Sequence, residues 1–437
     1  MSHVQPPCGV PACARMTAGV VMLLYTPRSR NTMNQPNVKP NAMHDTPPIA
    51  LALAGGGPLG AVYEVGALAA LHDALPTLDF TRLHSYVGVS AGAFVTAGLA
   101  NGITPREMVQ LFIENEGADG DALAPGVFMR PAIGEYASRL ALVPTTLLAA
   151  MWASVRSLKP SRALAELQRL SAVIPTGLFD NRAIERAMRT LLSKPGRSND
   201  FRELKSKLFL IATDLDSGET VEFGSAAMNH VPISQAVQAS SSLPGMYTPV
   251  KIGARHYVDG ALNKTLHASS ALNAGAKLVI CVNPLVPFNS TVAARAQSHL
   301  VERGLPTVLS QTFRALIHSR LEKSITSYAT SYPDSKLIVL EPSKGDADLF
   351  FSNLFSYGNR RRLAEHAYQH TRAQLLARAD VLSTEFAQYG IKLNMRALED
   401  SSRKLLPTAR RFSRGDTGAA ASKLAQTLDE LEVALLR

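Results

Sequence analysis

A serine between two glycines is the residue of this chain best suited to chemistry. The sequence GVSAG at 88–92 follows the strand-like Tyr86 and Val87 and leads into an apolar helical pattern, so the backbone has to turn sharply at Ser90. This pattern at a strand-to-helix turn is typical of a nucleophile elbow, whose glycines leave room for a strained backbone. We therefore predict that Ser90 is a nucleophile and that Gly88 and Gly92 shape its turn.

A glycine-rich loop lies upstream, between a predicted buried strand at 49–54 and an apolar helical pattern that begins at Val62. Backbone N–H groups beside a helix N-terminus can hold a phosphate, a pyrophosphate or a transient oxyanion. The loop also fits the dinucleotide pattern G-x-G-x-x-G, and Asp79 has roughly the spacing of a ribose ligand. Residues 72–80, however, contain Pro76 and resemble a helix exit rather than a strand. The predicted loop glycines are Gly55, Gly56, Gly57 and Gly60.

An aspartate at the end of the strand-like segment 257–259 is the candidate base. Asp259 is followed by Gly260 and Ala261, and an Asp-Gly pair alone is usually a turn. A serine hydroxyl needs a neighbouring base, which is histidine in most hydrolases. His256 lies three positions before Asp259 and so points to the other face of a strand. The later histidines all lie in helix-like segments: His267, His299, His318, His366 and His370. A Ser-His-Asp triad is therefore disfavoured.

The glycine loop, the serine elbow and the Asp-Gly-Ala motif, in this order, resemble the patatin-like phospholipase family. The segments 212–219 and 239–245 also resemble family segments, and the resemblance covers about 49–284. It implies a Ser-Asp dyad in which Ser90 attacks an acyl ester, Asp259 accepts and returns the proton, and amides of Gly55–Gly57 hold the oxyanion. The family loop commonly carries Arg or Lys where this chain has Leu59, and Pro58 has no N–H to donate.

The resemblance implies a lipid acyl hydrolase that cleaves carboxylic esters of phospholipids or lysophospholipids. Such a serine hydrolase needs no cofactor and no metal, and its substrate is a membrane or micellar lipid met by peripheral contact. Two alternatives stay open. One is a catalytically weak binding or scaffold protein on the same fold, and the other is a thioesterase, esterase or protease that uses the same elbow.

Composition agrees with a globular enzyme that has an appended region. The chain has 437 residues, of which 46% are hydrophobic and 18% charged. Three cysteines are too few for a disulfide framework, which favours a reducing compartment such as the cytoplasm, while secretion stays open. The net charge of +10 lies in the flanks, since residues 49–300 carry 21 basic and 19 acidic side chains. Basic flanks can attract anionic lipid or nucleic acid, but solvated helix faces are the simpler explanation, and no nucleic acid is expected as a partner.

Strand-like runs alternate with helical patterns, which predicts a three-layer α/β/α fold with a mostly parallel central sheet and a C-terminal helical extension. We divide the chain into a disordered N-terminal segment or mis-assigned start (1–47), a catalytic domain (48–285) and a mainly helical region (286–437). Long helices are expected at 305–327 and 360–379, and a linker at 401–418. An amphipathic pattern at 419–436 predicts packing on the domain or self-association.

A helical insertion is predicted at about 121–180. Its stretch 136–155 is strongly apolar, holds the only tryptophan, Trp152, and has basic neighbours. This pattern suits either a core helix or an interfacial lid over the site. The apolar run 16–25 is too short to span a bilayer and lacks a small-residue cleavage site, so it does not predict a secretion signal.

Overall fold

The computed structural model describes residues 48–114, 130–140, 175–264, 266–289, 299–351 and 357–406. The predicted N-terminal segment, most of the predicted lid including Trp152, and the amphipathic pattern at 419–436 lie outside these residues. Within them, no helix is long and apolar enough to cross a membrane.

The strands of the described residues are β1 Ile49–Leu53, β2 Ser85–Val89, β3 Gly177–Phe179, β4 Lys207–Asp214, β5 Thr220–Phe223, β6 Gly245–Tyr247, β7 Val250–Ile252, β8 Arg255–Asp259, β9 Leu278–Val282 and β10 Lys336–Leu340. Eight of them form the central sheet, in the order β10-β9-β1-β2-β4-β8-β7 with β5 beside β4. The strands β10, β9, β1, β2 and β4 are mutually parallel, while β5, β8 and β7 are antiparallel to their neighbours. The other two, β3 and β6, pair with each other in a separate sheet.

Helices connect the strands and cover both faces of the sheet. Those of the described residues are α1 Gly57–Ala74, α2 Ala91–Ala100, α3 Pro105–Val109, α4 Ile133–Leu140, α5 Arg182–Leu192, α6 Ile233–Ser240, α7 Ala268–Asn273, α8 Leu305–Ser331, α9 Ala347–Phe350, α10 Tyr357–Ala377, α11 Ala379–Ala387 and α12 Met395–Glu399. The mostly parallel sheet with flanking helices, and the helices toward the C-terminus, confirm the predicted fold class.

The two faces of the sheet bury different side chains, as strand β1 illustrates. Its residues alternate between large and small, and successive side chains of a strand point to opposite faces. Ile49, Leu51 and Leu53 belong to the larger core cluster, which packs under α1, α2 and α10. Ala50 and Ala52 belong to the smaller cluster under α7 and α8. Since both faces are covered, the central strands are buried, as a parallel sheet requires.

Residues beyond 285 complete this architecture. Strand β10 pairs with all five residues of β9 and forms an edge of the sheet. Helix α10 packs against α1 so closely that a Cβ on Gly66 would lie 2.9 Å from the Cβ of Ala367. The C-terminal region therefore contributes both a strand and part of a helical layer.

Strand register brings the two predicted catalytic residues to one level of the sheet. Strand β4 lies between β2 and β8. Val89, the last residue of β2, pairs with Ile211, and Asp259, the last residue of β8, pairs with the next residue, Ala212. Ser90 directly follows Val89, so Ser90 and Asp259 lie on either side of β4 at the carboxyl edge of the parallel strands.

Candidate active site

Ser90 occupies a strained turn between β2 and α2. Its φ of 52° is the only positive φ of a non-glycine residue in the part of the chain that the structure describes. Such backbone is rare for L-residues and clusters at functional sites. The flanking glycines are required by close packing, because a Cβ on Gly88 would lie 2.7 Å from the Cα of Ala93 and one on Gly92 would lie 2.5 Å from the carbonyl oxygen of Leu53.

Two serines at the end of helix α6 hold the strained turn. The backbone N–H of Ser90 donates to Ser240 Oγ at 2.9 Å, and Ser240 Oγ donates onward to the carbonyl oxygen of Ile211 at 2.6 Å. The Ser241 hydroxyl donates to the carbonyl oxygen of Ser90 at 3.2 Å. Sequence reasoning assigned no role to these serines, although the segment 239–245 that contains them was among those that resemble family segments.

Asp259 faces the serine and is buried, with 2% of its surface exposed. The Ser90 hydroxyl lies near enough to its carboxylate to stabilise the charged form, and its Oδ1 accepts the N–H of Ala261 at 2.8 Å. Burial raises the pKa of Asp259 to about 6, while these two neighbours act in the opposite direction. The carboxylate is thus a stronger base than an aspartate in water.

The glycine loop covers the serine and the aspartate motif together. A Cβ on Gly55 would lie 3.1 Å from the Cβ of Ser90 and 3.2 Å from the Cβ of Ala261. Gly57 has a φ of +62°, which favours glycine, and it opens helix α1. Within the described residues, no group accepts a hydrogen bond from the N–H of Gly55, Gly56 or Gly57. These donors are therefore available to a ligand at the positive end of the helix.

Close packing against Pro284 leaves no room for a side chain at two of the loop glycines, Gly56 and Gly60. A Cβ on Gly56 would lie 2.8 Å from Pro284 Cγ, and one on Gly60 would lie 3.2 Å from the same atom. Pro58 lies in the first turn of α1, and Leu59 packs against the larger core cluster. The loop therefore offers backbone amides and no cationic side chain to the site.

The histidines of the described residues make no hydrogen bond with Ser90. On β8, His256 lies with its Nδ1 3.9 Å from Asp216 Oδ2. His267, which precedes α7 rather than lying within a helix, is buried, and burial lowers its pKa to about 4. Four others have partners elsewhere: His84 with the Ala274 carbonyl, His318 with Glu322, His366 with Asp346 and His370 with Tyr63.

The dinucleotide alternative has little support in this geometry. Helix α1 ends at Ala74, and Asp79 lies in the loop that follows, where its Oδ1 accepts the N–H of Thr81 at 2.9 Å. A ribose ligand would have to stand at the end of a second strand. Nor do the described residues bring together three or more His, Cys, Asp or Glu side chains as a metal site.

Fold and site together define the class of protein: an α/β/α protein with a serine in a strained strand-to-helix turn at the carboxyl edge of its sheet. The family model of the patatin-like phospholipases matches residues 51–272, about half of the chain. The chain belongs to this family, and the membership supports a lipid hydrolase.

Solved structures of two bacterial proteins, VipD and ExoU, are similar to this chain. VipD from Legionella pneumophila is 14% identical, with 75% of this chain and 66% of that chain covered and a TM-score of 0.35. The type III effector ExoU is 17% identical, with 76% and 54% covered and a TM-score of 0.31. In a Pseudomonas aeruginosa complex, ExoU is bound to SpcU. This chain thus spans between about half and two thirds of those proteins' lengths, and its family membership rests on the family model.

Proposed function

We propose that this protein is a lipid acyl hydrolase that cleaves carboxylic ester bonds of phospholipids or lysophospholipids with Ser90 as nucleophile and Asp259 as base. The observation that carries the proposal is that strand register places the Ser90 hydroxyl beside the buried Asp259 carboxylate, whose pKa burial raises to about 6. A base is most effective when its pKa lies near the working pH. Family membership supplies the substrate class.

The proposed reaction has two halves. Ser90 Oγ attacks the ester carbonyl while Asp259 takes its proton, and the resulting oxyanion is stabilised by the N–H groups of Gly55–Gly57. Collapse of the tetrahedral intermediate breaks the bond to the alcohol oxygen, which receives the proton from Asp259. Water then attacks the acyl-serine while Asp259 accepts a proton from it. The bond between the acyl carbon and Ser90 Oγ breaks, Ser90 Oγ receives the proton from Asp259, and the fatty acid leaves.

Comparison of the wild type with Ser90→Ala and Asp259→Asn tests the proposal. Each protein is incubated with phospholipid in mixed micelles in calcium-free buffer, and released fatty acid is measured. Because the dyad supplies both nucleophile and base, we expect wild-type hydrolysis without calcium. We expect losses of at least about a thousandfold in both variants, since neither half of the dyad works alone. Full activity in either variant would contradict the proposal.

One observation favours a second candidate, a binding protein with weak catalysis on the same fold. The loop has Leu59, packed against the larger core cluster, where the family commonly carries a cation, so oxyanion stabilisation would depend on backbone amides alone. A panel of glycerolipid, thioester, short ester and peptide substrates distinguishes the candidates. Turnover of thioesters or short esters alone would redirect the proposal to a thioesterase or esterase, and no turnover of any of them would favour the binding protein.

A further inference from the structure

Large exposed apolar side chains are concentrated at one place in the described residues. Six of the eleven that occur there lie within 301–316. Isolated exposed apolar residues are common, but a contiguous group marks an interaction surface. We call this group the α8 stripe; it consists of Val301, Leu305, Val308, Leu309, Phe313 and Leu316.

The stripe is one face of helix α8. Its helical members are spaced by three, four or one residues, which places them on one side of the helix. The opposite side holds the helix to the protein: Gln311 exchanges two hydrogen bonds with the backbone of Phe288, at 3.0 and 2.7 Å. Further along, Leu321 and Tyr328 are buried in the smaller core cluster. The apolar face of the first half is therefore left without a protein partner among the described residues.

The direction of α8 places the stripe at the edge of the sheet where Ser90 lies. The helix leads into β10 and runs antiparallel to the parallel strands, and near its end Tyr332 Oη donates to Asn273 Oδ1, close to the beginning of β9. Its 27 residues span about 40 Å, whereas the five residues of β10 span about 17 Å. The first half of α8 therefore extends past the carboxyl edge of the sheet.

Two arginines tie this part of α8 to the candidate active site. Arg320 Nη1 donates to the carbonyl oxygen of Leu262, three residues after Asp259. Arg314 Nη1 donates to the carbonyl oxygens of Pro284 and Val286, at 3.5 and 3.3 Å. Pro284 in turn packs against the glycine loop. The helix that carries the stripe is thus held to the segment that follows Asp259 and to the segment that packs on the glycine loop.

The charges around the stripe suit a lipid surface. Residues 303–321 contain no aspartate or glutamate, and the one charged residue between Leu305 and Leu316 is Arg314, whose guanidinium turns inward. The exposed residues Arg303, Arg320 and Lys323 flank the stripe, against Glu302 and Glu322. Glu322 has a partner in Lys344, at 3.8 Å. An apolar helix face with a basic margin is typical of interfacial helices.

We propose that the α8 stripe docks the protein on a phospholipid membrane that contains anionic lipid, and so presents the carboxyl edge of the sheet to the bilayer. The inference rests on the proposed lipid hydrolase function, because the substrate of such a site lies in the same surface. Helix α8 inserts its apolar face among the lipids, and the flanking cations contact the anionic headgroups.

The test replaces two stripe residues and two matched residues elsewhere. Leu309→Ser with Phe313→Ser removes side chains that are each 46% exposed, and the control Leu376→Ser with Val381→Ser removes two that are each 38% exposed, on α10 and α11. Both pairs are introduced into Ser90→Ala protein, so vesicle binding is measured without hydrolysis. Binding is followed by co-sedimentation with phosphatidylcholine vesicles, with and without phosphatidylserine.

We expect the stripe pair to lower vesicle binding at least about tenfold, because it removes two apolar side chains that insert into the membrane. The control pair keeps wild-type binding, and phosphatidylserine strengthens binding of the parent. Unchanged binding of the stripe pair overturns the inference. If binding is unchanged and sedimentation shows a changed oligomeric state, the stripe contacts a second copy of the chain instead of lipid. Failure of the proposed function shows separately, as absence of ester hydrolysis by the wild type while vesicle binding through the stripe persists.

Discussion

Asp259 illustrates how burial turns a weak base into a useful one. An aspartate in water has a pKa near 4 and holds a proton poorly at neutral pH. Burial raises the pKa of Asp259 to about 6, although the Ser90 hydroxyl and the Ala261 N–H both stabilise its charged form. In the proposed mechanism this carboxylate deprotonates the Ser90 hydroxyl directly, without a neighbouring imidazole.

The raised pKa also predicts a stability cost. Folded Asp259 binds its proton more tightly than the unfolded chain does, so stability is full below about pH 4, falls as the pH rises through about 6, and then levels off. Asp259→Asn removes the buried charge. We expect it to raise the free energy of unfolding at pH 7.5 by up to about 3 kcal/mol. Urea unfolding at pH 7.5 and pH 4 measures this, and a variant less stable than wild type at pH 7.5 would contradict it.

Some site residues could be predicted from sequence and others could not. Ser90, Asp259 and the loop glycines stand in short motifs whose backbone demands are local. Ser240 and Ser241 reach the elbow across 150 and 151 positions, and nothing in their neighbourhood marks them as its support. The pKa of Asp259 is likewise a property of tertiary packing, because it depends on which side chains exclude water from the carboxylate.

At the scale of elements, the glycine loop and the N-terminus of helix α1 together form the proposed oxyanion site. Gly57 takes a positive φ as the chain enters the helix, and the N–H groups of Gly55, Gly56 and Gly57 have no acceptor among the described residues. An oxyanion bound to these groups would gain from the amides and from the helix N-terminus together. In the proposed mechanism this stabilisation comes from the backbone, without a cationic side chain of the loop.

A matched pair of glycines tests the loop. Gly57 and Gly253 both have a φ of +62° and both have open space where a Cβ would stand. Alanine at either position is expected to cost about 1–2 kcal/mol of stability, because the backbone strain is the same. Only Gly57→Ala shifts the proposed oxyanion donors, so we expect it alone to lower kcat by about a hundred- to a thousandfold. Equal kcat values in the two variants would show that the loop does not hold the oxyanion.

Long periodic elements could be predicted from sequence and short strands could not. The strand predicted at 49–54 is β1, which ends one residue earlier, and α8 begins at the predicted Leu305 and ends four residues later than predicted. Strands β3, β6 and β7 have three residues each and lack any periodic signal. β3 lies where a helical insertion was expected, because its pairing partner, β6, is remote in sequence.

At the scale of the whole molecule, the region after residue 285 belongs to the same sheet and helical layer that position the candidate active site. Strand β10 covers one edge of β9, and α10 covers α1, the helix that the glycine loop opens. An exposed sheet edge and an uncovered apolar helix face both favour aggregation. The motifs alone would place everything needed for catalysis before residue 285.

Truncation after residue 285 tests whether the catalytic domain can fold without the C-terminal region. We expect the shortened chain to be insoluble, because it exposes the β9 edge and the face of α1 that packs on α10. Soluble yield and size-exclusion chromatography of the truncated and full chains measure this. A soluble, monomeric fragment that hydrolyses phospholipid would contradict it.

Covalent labelling tests the central claim, that the Ser90 hydroxyl is activated by the Asp259 carboxylate. Folded wild type, Asp259→Asn and His267→Ala are treated with a fluorophosphonate, and the labelled residue and rate are determined by mass spectrometry. We predict that label appears on Ser90 in the wild type, at an unchanged rate in His267→Ala, and at least about a hundredfold more slowly in Asp259→Asn. Labelling of another residue, or Ser90 labelling that is insensitive to Asp259→Asn and lost in His267→Ala, would contradict the claim.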